Sequence, residues 1–226
     1  MGRFISIDDI NIEIVRKKGK KTISLKIDSK SGQPVISAPY LCPDFFIKSF
    51  VKKHLIWLKK SIQITPPKRQ FQNGESIYLL GQKLTITHQN SHCITHIDGD
   101  KLIVGSDINF LHRRIKEFIK KQTADYIQKK ATELSDKIEK KVSKISLRDT
   151  TSRWGSCSSN GSLSFCWRLG LAPLFVLDYV IIHETAHLVF MDHSAYFWKL
   201  VKELNGQTTK SKKWLKENGA YLHSFL

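Results

Sequence analysis

The sequence predicts an α+β chain: a β-rich N-terminal region carrying one helix, then a second half dominated by helices. Three observations predict this. Apolar and polar residues alternate with period two through roughly the first hundred residues, the mark of half-buried strands. From Asp107 to about Lys141 the period becomes that of an amphipathic helix, with no internal Gly or Pro. A hairpin signal then precedes a near-continuous apolar segment from Leu174 to about Phe190. The 226 residues divide on this reading into 1–105 and 106–226.

The elements follow in order. Ile10-Asn11-Ile12-Glu13-Ile14 and Thr22-Ile23-Ser24-Leu25-Lys26-Ile27 alternate as strands, and Pro34–Pro39 is a third. Pro43-Asp44 opens a helix that places Phe46, Phe50, His54, Trp57 and Leu58 near helical spacing, and Pro66-Pro67 ends it. Strands are expected at Ile77–Leu80, Lys83–His88, Cys93–Ile97 and Leu102–Val104, with Gly81 and Gly99 in turns. In the long helix Leu111, Ile115, Phe118, Ile119, Ala124, Ile127, Ala131, Leu134 and Ile138 form one apolar stripe. A short strand at Ile145–Arg148 leads to a hairpin, Arg153–Cys157 and Leu163–Trp167, turning at Asn160-Gly161. Pro173 opens the apolar helix. Helices around Ala195–Leu204 and Ser211–Asn218 finish the chain.

Composition narrows the function. Hydrophobic residues make up 41% and charged residues 25%, so a buried core is expected, and a disordered chain, a collagen-like fibre and a membrane bundle are excluded. Cys42, Cys93, Cys157 and Cys166 form no C-x-x-C pair, and no apolar signal segment opens the chain. The expectation is a reduced, cytoplasmic, soluble protein with free thiols. The formal charge of +17 suggests an anionic partner. Its distribution is uneven: residues 145–195 sum to −1, residues 1–144 to +14, and the chain from 196 to +4. The basic excess therefore lies outside the segment with the chemistry.

That segment holds His183-Glu184-Thr185-Ala186-His187, an H-E-x-x-H pattern in the apolar helix. Two His at i and i+4 share one face, so both imidazoles can reach one tetrahedral ion. Glu184 sits about 100° around the helix, placed to accept a proton from a metal-bound water. Burying two His and a Glu in this helix without a partner would cost several kcal/mol. A catalytic zinc needs a third ligand. His193 is favoured, being close in sequence and an imidazole; Glu203 and Glu217 are the alternatives. The spacing to His193 equals that of metzincins, but Phe190 stands where they carry Gly and no Met-turn follows.

A wider set of motifs accompanies it: Arg153-Trp154-Gly155-Ser156-Cys157-Ser158, Trp167-Arg168-Leu169, Ala172-Pro173, Leu177-Asp178-Tyr179-Val180 and His193-Ser194-x-x-Phe197-Trp198. With the strands at Lys21–Ile27 and Ala38-Pro39, these resemble the YgjP-like metallopeptidase-domain family, a relative of SprT-like zincins, over nearly the whole chain. Thr185 stands where Leu is usual. The resemblance implies a zincin-like domain with a long helix and an active-site helix, after a β-rich region. It implies one zinc ion on His183, His187 and His193, with Glu184 as catalytic base.

Arg153, Trp154, Gly155 and Arg168 are the candidates for substrate contact. A sheet edge beside the active-site helix can pair with an extended peptide, Gly155 would allow close approach, and Arg153 or Arg168 could stabilise an oxyanion. Asp178 is either a hydrogen-bond partner of a ligand His or exposed. The leading expectation is a zinc-dependent peptidase. The alternatives are a metal-dependent nucleotide phosphatase or pyrophosphatase, and a protein that binds nucleic acid through its basic N-terminal region with a subordinate hydrolase site. No membrane partner is expected.

Overall fold

In a computed structural model of the chain, residues 3–28, 32–64, 66–91 and 93–226 are described. They form two compact units, one reaching to Arg69 and one spanning Gln70–Phe225.

The first unit holds strands β1 (Arg3–Ile7), β2 (Ile10–Lys17), β3 (Ser24–Ile27) and β4 (Pro34–Pro39), ordered β1-β2-β4-β3. β2 and β4 run parallel; the other pairs are antiparallel. β1 was not expected from the pattern. It is joined to β2 by Asp8-Asp9, both at positive φ (47° and 61°). A tight hairpin usually announces itself with Asn-Gly or Asp-Gly, and Asp-Asp, though tolerant of left-handed backbone, is a weaker signal. The helix expected after Pro43 is two helices, α1 (Asp44–Lys53) and α2 (Leu55–Ile64). His54 leaves helical dihedrals (φ −107°, ψ 15°) and stacks on Phe50. Ile47, Val51 and Leu58 bury against Ile12, Ile14 and Ile36, whereas Phe46 and Trp57 of the expected stripe are exposed.

The second unit begins with β5 (Ser76–Leu79), β6 (Gln82–Gln89), β7 (His96–Asp98) and β8 (Lys101–Gly105), ordered β5-β6-β8-β7 with β6 and β8 parallel. After a short 3₁₀ turn comes α3 (Leu111–Lys137). Ile77, Leu79, Leu84, Ile86, Leu102 and Val104 share one core with Leu111, Ile115 and Ile119 of α3. The compact units therefore part at residue 69, and not at the 105/106 division read from the pattern. The change of pattern near Asp107 marks a change of element within one core.

The remaining elements are β9 (Lys144–Arg148), β10 (Gly155–Cys157), β11 (Ser162–Cys166), a 3₁₀ turn (Trp167–Leu171), α4 (Leu174–Ala186), α5 (Ala195–Leu204) and α6 (Thr208–Ser224). The three strands order β10-β11-β9, with β11 antiparallel to β10 and parallel to β9. β10 is an edge strand. Leu163 and Phe165 of β11 bury with Ile127, Ala131, Leu177, Ile181, Phe197 and Val201 in a second cluster. Gly170 lets the 3₁₀ turn lie against α3: a Cβ there would stand 1.9 Å from Thr123 Oγ1. α4 thus packs on α3, α5, α6 and β10, which explains an apolar composition without a clear polar face.

Candidate active site

The apolar residues of α4 anchor it so firmly that its polar residues have fixed positions. Val176, Leu177, Val180 and Ile181 are buried, and His183 and Glu184 follow on the last turn. The helix stops at Ala186, one turn sooner than the apolar run suggests. His187 is its C-cap, and Val189 and Phe190 bond back to the Ala186 carbonyl. The Nδ1–H of His187 donates to the Phe190 carbonyl at 2.9 Å, which leaves its Nε2 lone pair free. The chain then turns back. Asp192 accepts from the Ser194 amide, and Ser194 caps α5 by accepting from Phe197 N. These two caps hold His193 between them.

The turn brings three imidazoles together. His183, His187 and His193 have one ligand atom each within 4.8 Å of one another. Nε2 of His193 faces Nε2 of His183 at 3.2 Å. Two nitrogens bound to one tetrahedral zinc stand about 3.3 Å apart, so this pair fits a shared ion. The buried Phe197 ring lies under all three, at centroid distances of 5.0, 4.5 and 4.9 Å. Burial pulls the His183 pKa down to about 4, with His187, His193 and Lys212 acting in the same direction. Burial also lowers His187, against the Phe190 carbonyl, which favours its protonated ring. Neutral imidazoles are the form that binds metal. Glu203 and Glu217, the other candidates for third ligand, are exposed and lie outside the cluster.

Glu184 is 7% exposed and lies against β10. A Cβ at Gly155 would stand 2.5 Å from Glu184 Cγ and 2.7 Å from Oε1, so only glycine leaves the carboxylate its place. Burial raises the Glu184 pKa to about 7, with the Arg153 charge working against it. His183 and Glu184 open onto a cleft of about 340 Å³ whose walls include Arg153, Trp154, Gly155, Tyr179 and Lys212. Trp154 stacks on His223 at 4.3 Å. Lys212 lies 3.6 Å over the Trp198 ring. Neither Tyr179 nor Lys212 was singled out as a site residue from the sequence. Tyr179 precedes His183 by one helical turn, a spacing that could have flagged it; Lys212 arrives on α6 and has no local signal. Burial, then the Glu184 carboxylate, push the Tyr179 hydroxyl up to about 12.

Two expectations are corrected. Arg168 is not at the cleft. It is 4% exposed, and its guanidinium donates to the Phe225 carbonyl at 2.8 and 2.6 Å and to Asp149 at 2.5 Å. A charge this deeply buried needs partners on all sides, which turns it inward. Asp178 is neither exposed nor bonded to a ligand His; it accepts from the Tyr126 hydroxyl at 2.7 Å, tying α4 to α3.

A family model described as YgjP-like, metallopeptidase domain, matches residues 21–218. No curated protein sequence matches the chain. Among solved structures, a metallopeptidase zymogen, abylysin of Pyrococcus abyssi, aligns with 40% of this chain and 93% of its own at 18% identity, with a TM-score of 0.36.

Proposed function

The chain belongs to the YgjP-like metallopeptidase-domain family, and from that premise we propose a zinc-dependent peptidase: His183, His187 and His193 hold one ion and Glu184 is the catalytic base. The family itself is one of metal-dependent peptidases, which points to polypeptide substrates. The observation that carries the finer reading is the 3.2 Å approach of two imidazole nitrogens beside a buried carboxylate.

When bound, the ion supplies Lewis acidity towards water and the scissile carbonyl. The rest falls to the chain. Glu184 takes a proton from the attacking water and returns it to the leaving amine; a pKa near 7 suits both transfers. The absent side chain at Gly155 keeps the Glu184 carboxylate seated. Arg153, on the same wall of the cleft, offers positive charge where the carbonyl oxygen becomes anionic. β10 has one free edge, onto which an extended polypeptide can add as a further strand.

The test combines two measurements. In Glu184→Gln the bound metal should persist while hydrolysis of an unfolded protein falls by about 10²–10⁴-fold. Elemental analysis should show metal lost in His193→Ala and kept in Glu203→Ala. Unchanged turnover in Glu184→Gln refutes the base. Hydrolysis of nucleoside triphosphates in place of polypeptides refutes the substrate class.

A further inference from the structure

A second depression shares Arg153 and Gly155 with the cleft and lies on the other face of the three-stranded sheet. Its volume is about 490 Å³. The register explains its chemistry. Ser156 pairs with Ser164, and Ser164 with Ser146, so these hydroxyls stand side by side on one face while Leu163 and Phe165 turn into the core. Lys144, Arg148 and Arg153 rim this face, and all three are exposed. No carboxylate lines the groove. Asp149, the acid nearest in sequence, is engaged by Arg168 and Lys116. Among the described residues none of the three rim cations makes an ion pair. The groove is thus locally basic, although residues 145–195, which hold Arg148 and Arg153, sum to −1.

The groove's position gives it a use. A peptide added along the free edge of β10 would send successive side chains to opposite faces. Those on the Gly155 and Cys157 side fall towards Glu184 and the cleft. Those on the Ser156 side stand one strand outside Ser156, with Arg153 at the near end and Lys144 and Arg148 on β9 at the far edge, so a long acidic side chain lying across the hydroxyls meets side chains reaching back from β9. Resting on the peptidase reading above, we propose that this groove is a specificity subsite for polypeptide segments with Asp or Glu at every second position beside the scissile bond. Hydroxyls and guanidinium groups both donate hydrogen bonds to a carboxylate, and charge-assisted bonds are the stronger kind. A basic side chain at the same positions meets three like charges.

Direct binding tests this without requiring turnover. Fluorescence anisotropy would compare a labelled peptide carrying Glu at every second position with its Gln counterpart, on the full-length Glu184→Gln protein loaded with zinc. The Glu peptide should bind about fivefold tighter, the upper end for one exposed ion pair, and the difference should shrink as salt rises. Lys144→Gln/Arg148→Gln should bring the ratio towards one. Lys144→Glu/Arg148→Glu should invert the preference towards a Lys peptide; both positions are exposed, so the core is untouched. Equal binding of the Glu and Gln peptides, or a preference that survives both double variants, overturns the subsite. A clear preference without any cleavage by the wild-type protein would leave the subsite standing and refute the peptidase reading alone.

Discussion

The seat of the Glu184 carboxylate is the contact most open to a decisive test. In Gly155→Ala one methyl group is added on the face of β10 that meets α4. It would stand 2.5 Å from Glu184 Cγ, 2.7 Å from Oε1 and 2.9 Å from Cδ. Non-bonded carbon atoms settle at about 3.5–4.0 Å, so the carboxylate must retreat by about 1 Å. A displacement of that size in a reacting group costs about 10²-fold in rate. The three atoms nearest the new methyl all belong to Glu184, so the strain falls on the carboxylate and metal content should not change. The assay is kcat/KM on a fluorogenic peptide beside elemental analysis and a thermal melt. Gly206→Ala serves as control, because a Cβ there meets nothing within 4 Å. A Gly155→Ala protein that keeps its metal and its full rate would show that Glu184 is not the base, or that β10 yields freely. Either result refutes the reasoning.

Two further predictions concern the frame of the site. Phe197 is fully buried beneath the three imidazoles, so Phe197→Ala should cost about 3–5 kcal/mol in urea unfolding and weaken metal binding. A cost below about 1 kcal/mol would mean that the ring does not support the cluster. Burial by itself would raise the Asp149 carboxyl, but hydrogen bonds and charge from Arg168 and Lys116 hold it near 2, below the ordinary 3.8. A carboxyl with its folded pKa depressed stabilises above the unfolded value and loses that contribution as pH falls through the folded one. Wild type should therefore exceed Asp149→Asn in thermal stability at neutral pH, with the gap closing as pH drops from about 4 towards 2. A gap that is constant across this window would assign the difference to shape and not to charge.

Much of the architecture is legible from local pattern. The stripe from Leu111 to Leu134 is one helix because apolar spacing of three and four residues puts its members on one face, and it ends where Glu139 enters left-handed backbone. Gly161, at φ 77°, sits in the hairpin turn that Asn160-Gly161 announced. The pair His183 and His187 needs nothing beyond helical geometry. Where the pattern misled, chain continuation was the reason. The apolar run to Phe190 reads as helix, yet the backbone turns at His187, and that turn carries His193 back to His183. Periodicity reports which face of an element is apolar, and it does not record where that element stops.

The residue types of the site, its helix and the near-neutral charge of its segment were determined by the sequence alone, because each depends on neighbours a few positions apart. Tertiary structure decided the rest. It brought His193, and not Glu203 or Glu217, beside His183 and His187, placed Gly155 against Glu184, turned Arg168 inward to Asp149 and Phe225, and brought Lys212 to the cleft. It also joined Lys144, Arg148 and Arg153 around one groove. These contacts join separate elements of the fold. They follow from which faces pack together and in what strand order, and that is settled by burial of the whole core, not by any short stretch of chain.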